Sequence, residues 1–203
     1  MSKINISDAM YAKYSYSNGS VSYSDGGRAG YSTEVDIQIN QTDENKNHGD
    51  GKIVGVDKTF SSGTIKYNLT DILPNIKSIL LGVTSQTITG ITGITDTGAK
   101  ELIFDKNAEA QEVGFGIIIE GQEDSETETE RDPYFRAVIL AKVSFAEVSE
   151  TTRQREETIT WQGEELVGTI MRDDTSNEVW KREATFTTKA QALAYLKNRL
   201  NIT

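Results

Sequence analysis

No cysteine occurs anywhere in this chain, which excludes disulfides, thiolate metal sites and cysteine nucleophiles together. A single histidine, His48, is present. That is too few for a multi-histidine metal centre, and His48 has no serine or cysteine partner nearby to form a nucleophile–base pair. Positive charge is also scarce: 21 Lys and Arg stand against 31 Asp and Glu, a net charge of −10. Affinity for phosphate comes from surplus cations, so this balance argues against nucleic-acid recognition as the main task and against docking on anionic membranes. Long apolar runs are missing too. The longest uncharged window, residues 78–95, is mostly Thr, Ser, Gly and Gln, a composition that cannot make a transmembrane helix. The N-terminal residues lack the continuous apolar stretch of a signal peptide, so cytoplasmic synthesis is expected. Phosphate loops fail as well. The one Gly-Lys pair, Gly51-Lys52, has Lys46 where the first loop glycine belongs, and the Gly-x-Gly runs at Gly49 and Gly114 lack a third glycine.

What is present is a chain that builds strands. Its 203 residues suffice for one generous domain that buries roughly 70% of its unfolded surface. Residues 1–28 are rich in Tyr, Ser, Asn and Gly with scattered apolar side chains. They are too polar for a core and too aromatic for a simple tail. They read as an arm that orders against a neighbouring surface, with Ile4, Ile6, Tyr11 and Tyr14 as its contacts. From Tyr31 the alternation is clean. Thr33, Val35, Ile37 and Ile39 share one face with Tyr31; Ser32, Glu34, Asp36, Gln38 and Asn40 share the other. Further strands are expected at residues 53–60, 63–69, 113–119, 134–145, 157–161, 166–172 and 179–187. In the strand over 134–145, Phe135, Ala137, Ile139, Ala141, Val143 and Phe145 read as one face. Val138 and Leu140 interrupt the polar opposite face, so the middle of this strand is covered on both sides.

Two helices complete the pattern. Residues 71–82 suit a short helix, with Asp71 as N-cap, Pro74 in the first turn and Gly82 as the left-handed stop. Residues 189–200 suit a second, capped by Thr188, with Leu193, Leu196 and Leu200 on its inner face. The Thr/Gly-rich stretch 84–98 reads as an irregular edge strand or surface loop. The expected fold class is mainly β (α+β): an antiparallel sandwich or barrel with a short flanking helix and a C-terminal helix. No composition break divides residues 29–203, which are expected to form a single domain.

Two polar segments carry the remaining signals. Residues 42–52 form a long polar loop in which Asp43-x-Asn45-x-Asn47 has the spacing that begins a calcium loop. The turn glycine comes one residue late, His48 takes its place, and Val54 stands where a bidentate acid is needed. A surface hairpin without metal is the expectation, with Asp43, Asn45, Asn47 and His48 as contacts to another copy. Residues 120–132 hold seven acids and one arginine. A catalytic carboxylate pair needs fixed separation on rigid elements, whereas this run is a self-repelling, solvated loop. No catalytic, metal or cofactor residue is assigned.

The order of these pieces resembles a known family. Ile4-Asn5-Ile6-Ser7-Asp8-Ala9-Met10-Tyr11-Ala12 is similar to the opening of the phi13-type major tail proteins of long-tailed phages that infect Gram-positive bacteria. The run from Asp71 to Leu80-Leu81-Gly82 resembles that family's short helix. Gly114-Phe115-Gly116-Ile117 through the acidic run to Tyr134-Phe135-Arg136 resembles its central hairpin, and the strands and helix that follow fit the same order. Only the stretch 84–98 has little correspondence. The resemblance implies a tail-tube fold and no enzymatic activity or cofactor. It implies a virion protein, assembled in the host cytoplasm as hexameric rings that stack into a tube. Tape-measure and tail-terminator or tip proteins would be its partners, with DNA passing through without specific binding. Glu34 and Asp36 are the candidates for the channel wall, where like charge would let DNA slide.

Other classes predict different things. The tube of a tail-like bacteriocin or injection machine would share the fold. A β-sandwich binding or decoration module would be a monodisperse monomer with Trp161 and Trp180 exposed as platforms. A hydrolase would point two acids into one cleft.

Overall fold

A computed structural model describes residues 2–42, 45–49, 52–57, 59–70, 72–93, 98–105, 110–123, 132–149 and 163–203. The chain starts with a hairpin, β1 (Ser2–Ser17) and β2 (Ser20–Arg28), and continues into β3 (Ser32–Gln41). A ribbon of β4 (Asn45–Gly49) and β5 (Lys52–Asp57) precedes β6 (Phe60–Leu69) and helix α1 (Pro74–Leu81). A second ribbon pairs β7 (Thr84–Thr87) with β8 (Lys100–Ile103). Then come β9 (Val113–Glu123), β10 (Asp132–Ser149), β11 (Glu164–Met171), β12 (Lys181–Phe186) and helix α2 (Lys189–Arg199). The protein is mainly antiparallel β structure with two short helices. The main sheet runs β2-β1-β9-β10-β11-β6-β3, and β12 also pairs with β10. The strand expected at 157–161 lies outside the described residues.

Strand β10 is the axis of this sheet. Its residues 135–140 pair with β12 and residues 142–149 with β11, while β9 lies along its other edge. Leu140 faces Phe115 and Val143 faces Val113, so β10 carries one residue more than β9 at this point. That is a β-bulge, and it flips the side-chain phase. Val138 and Leu140 before it, and Val143 and Phe145 after it, enter the same core; Ala137 and Ile139 face α2. The single face expected for Phe135 through Phe145 is thereby corrected. Strict alternation is a property of unbulged strands, and one inserted residue reverses it. The double coverage of the middle is as expected.

The larger core lies between the two halves of the sheet and α1. Phe115 stands edge-on to Tyr67 at 5.0 Å and to Phe145 at 5.3 Å between ring centroids, and Ile76, Leu80 and Leu81 of α1 close it. Helix α1 begins at Pro74, with Leu73 rather than Asp71 in the capping position and no side-chain cap. Proline at N1 supplies the helical φ and has no N–H to satisfy, so the helix starts there. Gly82 ends it at φ 67°, as its sequence suggests. The smaller core lies beneath α2. Thr188 Oγ1 accepts from Gln191 N at 3.4 Å, and Ala192, Leu196 and Leu200 pack on Met10, Ala12, Ile118 and Ile139. Leu193 is only half-buried. Gly116 permits the approach, because a Cβ there would sit 3.0 Å from Leu196 Cδ2.

Residues 1–28 are not an arm. Strand β1 lies inside the sheet between β2 and β9, and Ala9, Met10, Tyr11, Ala12 and Tyr14 are buried. The division at residue 28 therefore does not separate a mobile segment from a domain. Small residues and tyrosines, whose rings bury while their hydroxyls bond, made a core strand look polar. Asn18 (φ 51°) and Gly19 (φ 78°) close the hairpin, the left-handed pair that a two-residue turn demands.

Candidate functional site

Two sheet faces differ in what covers them. The face of β9, β10 and β12 beneath α2 is apolar and buried. The outward face of β3, β6 and β11 carries neither helix: α1 packs into the core behind it and α2 lies elsewhere. Its side chains form cross-strand rows. One row is Glu34, Asn68 and Glu165; the next is Asp36, Lys66 and Val167; a third is Gln38, Thr64 and Thr169. Their neighbours Val35, Ile37, Ile65, Tyr67 and Leu166 point inward, so the alternation fixes which set faces out. Glu34 accepts from Asn68 Nδ2 at 3.2 Å, Asp36 from Gln38 Nε2 at 2.8 Å, and Asn40 Nδ2 donates to Ser62 Oγ at 3.2 Å. These rows hold three carboxylates and one ammonium among amides and hydroxyls. Such a surface is hydrophilic and weakly acidic. Glu34 and Asp36 stand on it as their alternation suggests.

Open strand edges border this face. Among the described residues, strand β3 pairs on one side only, and β2 reaches β1 only from Met10 onward, leaving the first residues of β1 with one edge unpaired. Between them lies a cleft of about 410 Å³ with Ile6, Val35, Ile37, Ile117 and Ile119 in its walls. Ile4, 63% exposed, stands at its rim. Unpaired edges are templates for pairing with another strand. Of the four residues expected to contact a neighbour from the N-terminal segment, Ile4 and Ile6 border this cleft, whereas Tyr11 and Tyr14 are buried.

Tyr14 instead belongs to a clamp at the β10 bulge. Its hydroxyl donates to Asp174 Oδ2 at 2.8 Å and accepts from Asp174 N at 3.0 Å. Burial pushes that hydroxyl up to about 12. Lys142 Nζ reaches Asp174 at 2.9 Å and Glu112 at 3.1 Å, and lies 5.0 Å from the Tyr14 ring centre. Burial alone would lower its pKa, but hydrogen bonds to the two carboxylates outweigh it and hold it above the ordinary lysine value. The cluster fastens β1 and β10 to the loop after β11. That loop is itself organised by buried Asp173, which accepts from Val179 N at 2.9 Å and Thr175 Oγ1 at 2.6 Å.

The polar segment after β3 is a ribbon and not a loop. Asn45, Asn47 and His48 pair with Asp57, Gly55 and Ile53 in an extended strand; Asp43 lies outside the described residues. These contact candidates are on a separate sheet from Ile4 and Ile6. Trp180 is half-buried and stacks on Phe60 at 4.4 Å, so it is not an open platform, and Trp161 lies outside the described residues. Among the described residues no cluster of three His, Cys, Asp or Glu could hold a metal ion, and no helix is long and apolar enough to cross a membrane. Sequence analysis does not show that Glu165 extends the row of Glu34, or that Thr64 and Thr169 extend the row of Gln38, because cross-strand register is not visible in one strand. It also passed over Asn18-Gly19, which signals the hairpin on its own. Neither a protein-family model nor a curated protein matches this sequence.

Proposed function

We propose that this chain is a structural protein that self-associates into stacked rings, forming the tube through which DNA leaves a phage tail. The observation that carries this reading is the uncovered face of β3, β6 and β11. That face is rich in hydroxyls and amides and carries neither helix, the character suited to a wall that must not grip what passes along it. On a channel wall such a face offers passing DNA a single ammonium, Lys66, against three carboxylates. DNA carries about one negative charge per 1.7 Å of its axis, so Glu34, Asp36 and Glu165 repel it weakly and it slides. On this reading the free edges of β1 and β3 meet edges of neighbouring copies. Contacts between unlike surfaces close into rings or continue into filaments; the stoichiometry proposed is six. The partners are other copies, a tape-measure protein and tail-terminator or tip proteins, and there is no catalytic step.

Sedimentation velocity with negative-stain imaging of the purified protein tests this. Rings or tubes are expected at high concentration. A monodisperse monomer at every concentration would turn the reading toward a binding module.

A further inference from the structure

A cleft of about 520 Å³ opens beside the Asn18-Gly19 turn, with Arg182 of β12, Arg199 of α2, Ser22, Thr175 and Asn201 in its walls. Both arginines are exposed. Neither forms an ion pair among the described residues, and the Arg199 guanidinium lies over the Tyr195 ring, 5.5 Å from its centre. The one acid in the cleft, Asp173, has its carboxylate engaged by Val179 N and Thr175. Asn201 already donates to Tyr23 O at 3.0 Å. The cleft is thus a site of surplus positive charge in a chain of net charge −10.

An extended acidic segment suits such a cleft, because each arginine can grip a carboxylate through two parallel hydrogen bonds. The chain carries one: residues 123–132, with six acids and one arginine. Its described ends stand away from the chain's own cleft. Arg182 pairs with Ile139, seven residues along β10 from Asp132, which is about 23 Å of strand. Glu123 pairs with Asp132, so both ends are at that station. We infer that the Arg182–Arg199 cleft docks the acidic segment 123–132 of a second copy of this chain. The inference rests on the self-association reading and gives it a contact. Because the two surfaces differ, each copy offers one and receives the other, so the contact propagates head to tail.

A synthetic peptide of residues 123–132, titrated into the full-length protein by calorimetry, tests this. Saturable binding is expected, weakening as salt rises, and falling at least tenfold in an Arg182→Glu/Arg199→Glu variant whose thermal unfolding matches the wild type. The milder Arg182→Gln/Arg199→Gln pair should fall between the two. No saturable binding, or binding indifferent to both variants, overturns the docking. So does a DNA oligonucleotide that binds more tightly than the peptide through the same arginines. Tubes without peptide binding sink this contact alone. Peptide binding by a protein that never assembles sinks the tube and keeps the contact.

Discussion

Strand β10 runs through two different neighbourhoods. Before its bulge, Ala137 and Ile139 lie beneath α2 while Val138 and Leu140 enter the main core, so both surfaces are closed. After it, Val143 and Phe145 still point inward, but the outward side continues into the bare rows of β11, β6 and β3. The same sheet is thus finished on one half and left open on the other. Burial explains the covered half completely: apolar area removed from water stabilises the fold. It explains nothing about the open half, whose side chains are chosen to stay wet. The difference separates what holds the protein together from what the protein presents to others.

Truncation should expose that difference most strongly. Leu196→Ala, beneath α2, is expected to cost about 2–5 kcal/mol, read as a lower denaturant midpoint. Val167→Ala on the open face should cost less than about 1 kcal/mol. Equal losses would mean that the open face is held by packing after all.

The clamp at the bulge joins the two halves and ranks next. Lys142→Ala leaves Asp174 and Glu112 without their shared cation, and is expected to cost about 1–3 kcal/mol. Both carboxylates are partly solvated, which favours the lower end. An unchanged denaturant midpoint would show that the clamp holds nothing.

Acid should act on the covered half and the clamp before the open face. The hydrogen bond from Ser7 and those from Lys189 and Asn5 hold the Glu120 carboxyl below its ordinary value. Lys142 and Tyr14 do the same for Asp174. A depressed folded pKa stabilises above the unfolded carboxylate range and loses that contribution as pH falls through the folded value. Thermal stability should therefore fall below about pH 4. The fall should be shallower in Glu120→Gln/Asp174→Asn; an identical pH profile would contradict the assignment.

Charge reversal on the open face should disturb folding least. Glu34→Lys/Asp36→Lys is expected to change stability by no more than about 0.5 kcal/mol; on the proposed tube reading it should leave assembly possible and slow genome delivery most at low salt, where screening is weakest. Normal delivery kinetics with intact tails would remove these two residues from the channel wall.

How much of this was legible in the sequence follows the same division. The strand from Glu34 onward, with Glu34 and Asp36 outward, and the helix capped by Thr188 were readable because one local period decides each; Tyr31, 66% exposed, and Thr33 leave the expected inner face because the register shifts between Ser32 and Glu34. The phase of β10 was not, since a bulge leaves no mark in composition. The burial of residues 9–14 is not visible in composition because small alanines and amphipathic tyrosines are interspersed with polar residues; the Asn18-Gly19 turn is the available signal. The open face was half legible. One strand shows its own polar row, but only pairing reveals that Thr64, Thr169 and Glu165 extend it.

The absence of cysteine makes the central claim directly measurable. A single Thr169→Cys substitution puts one thiol on the open face, and Thr185→Cys puts one on exposed β12 as a control. In assembled protein, the thiol of the first variant should react with a small charged maleimide but be shielded from a bulky polymer-linked maleimide, while the control reacts with both. Equal reaction of the open-face thiol with the bulky reagent, before and after assembly, would place that face outside any channel.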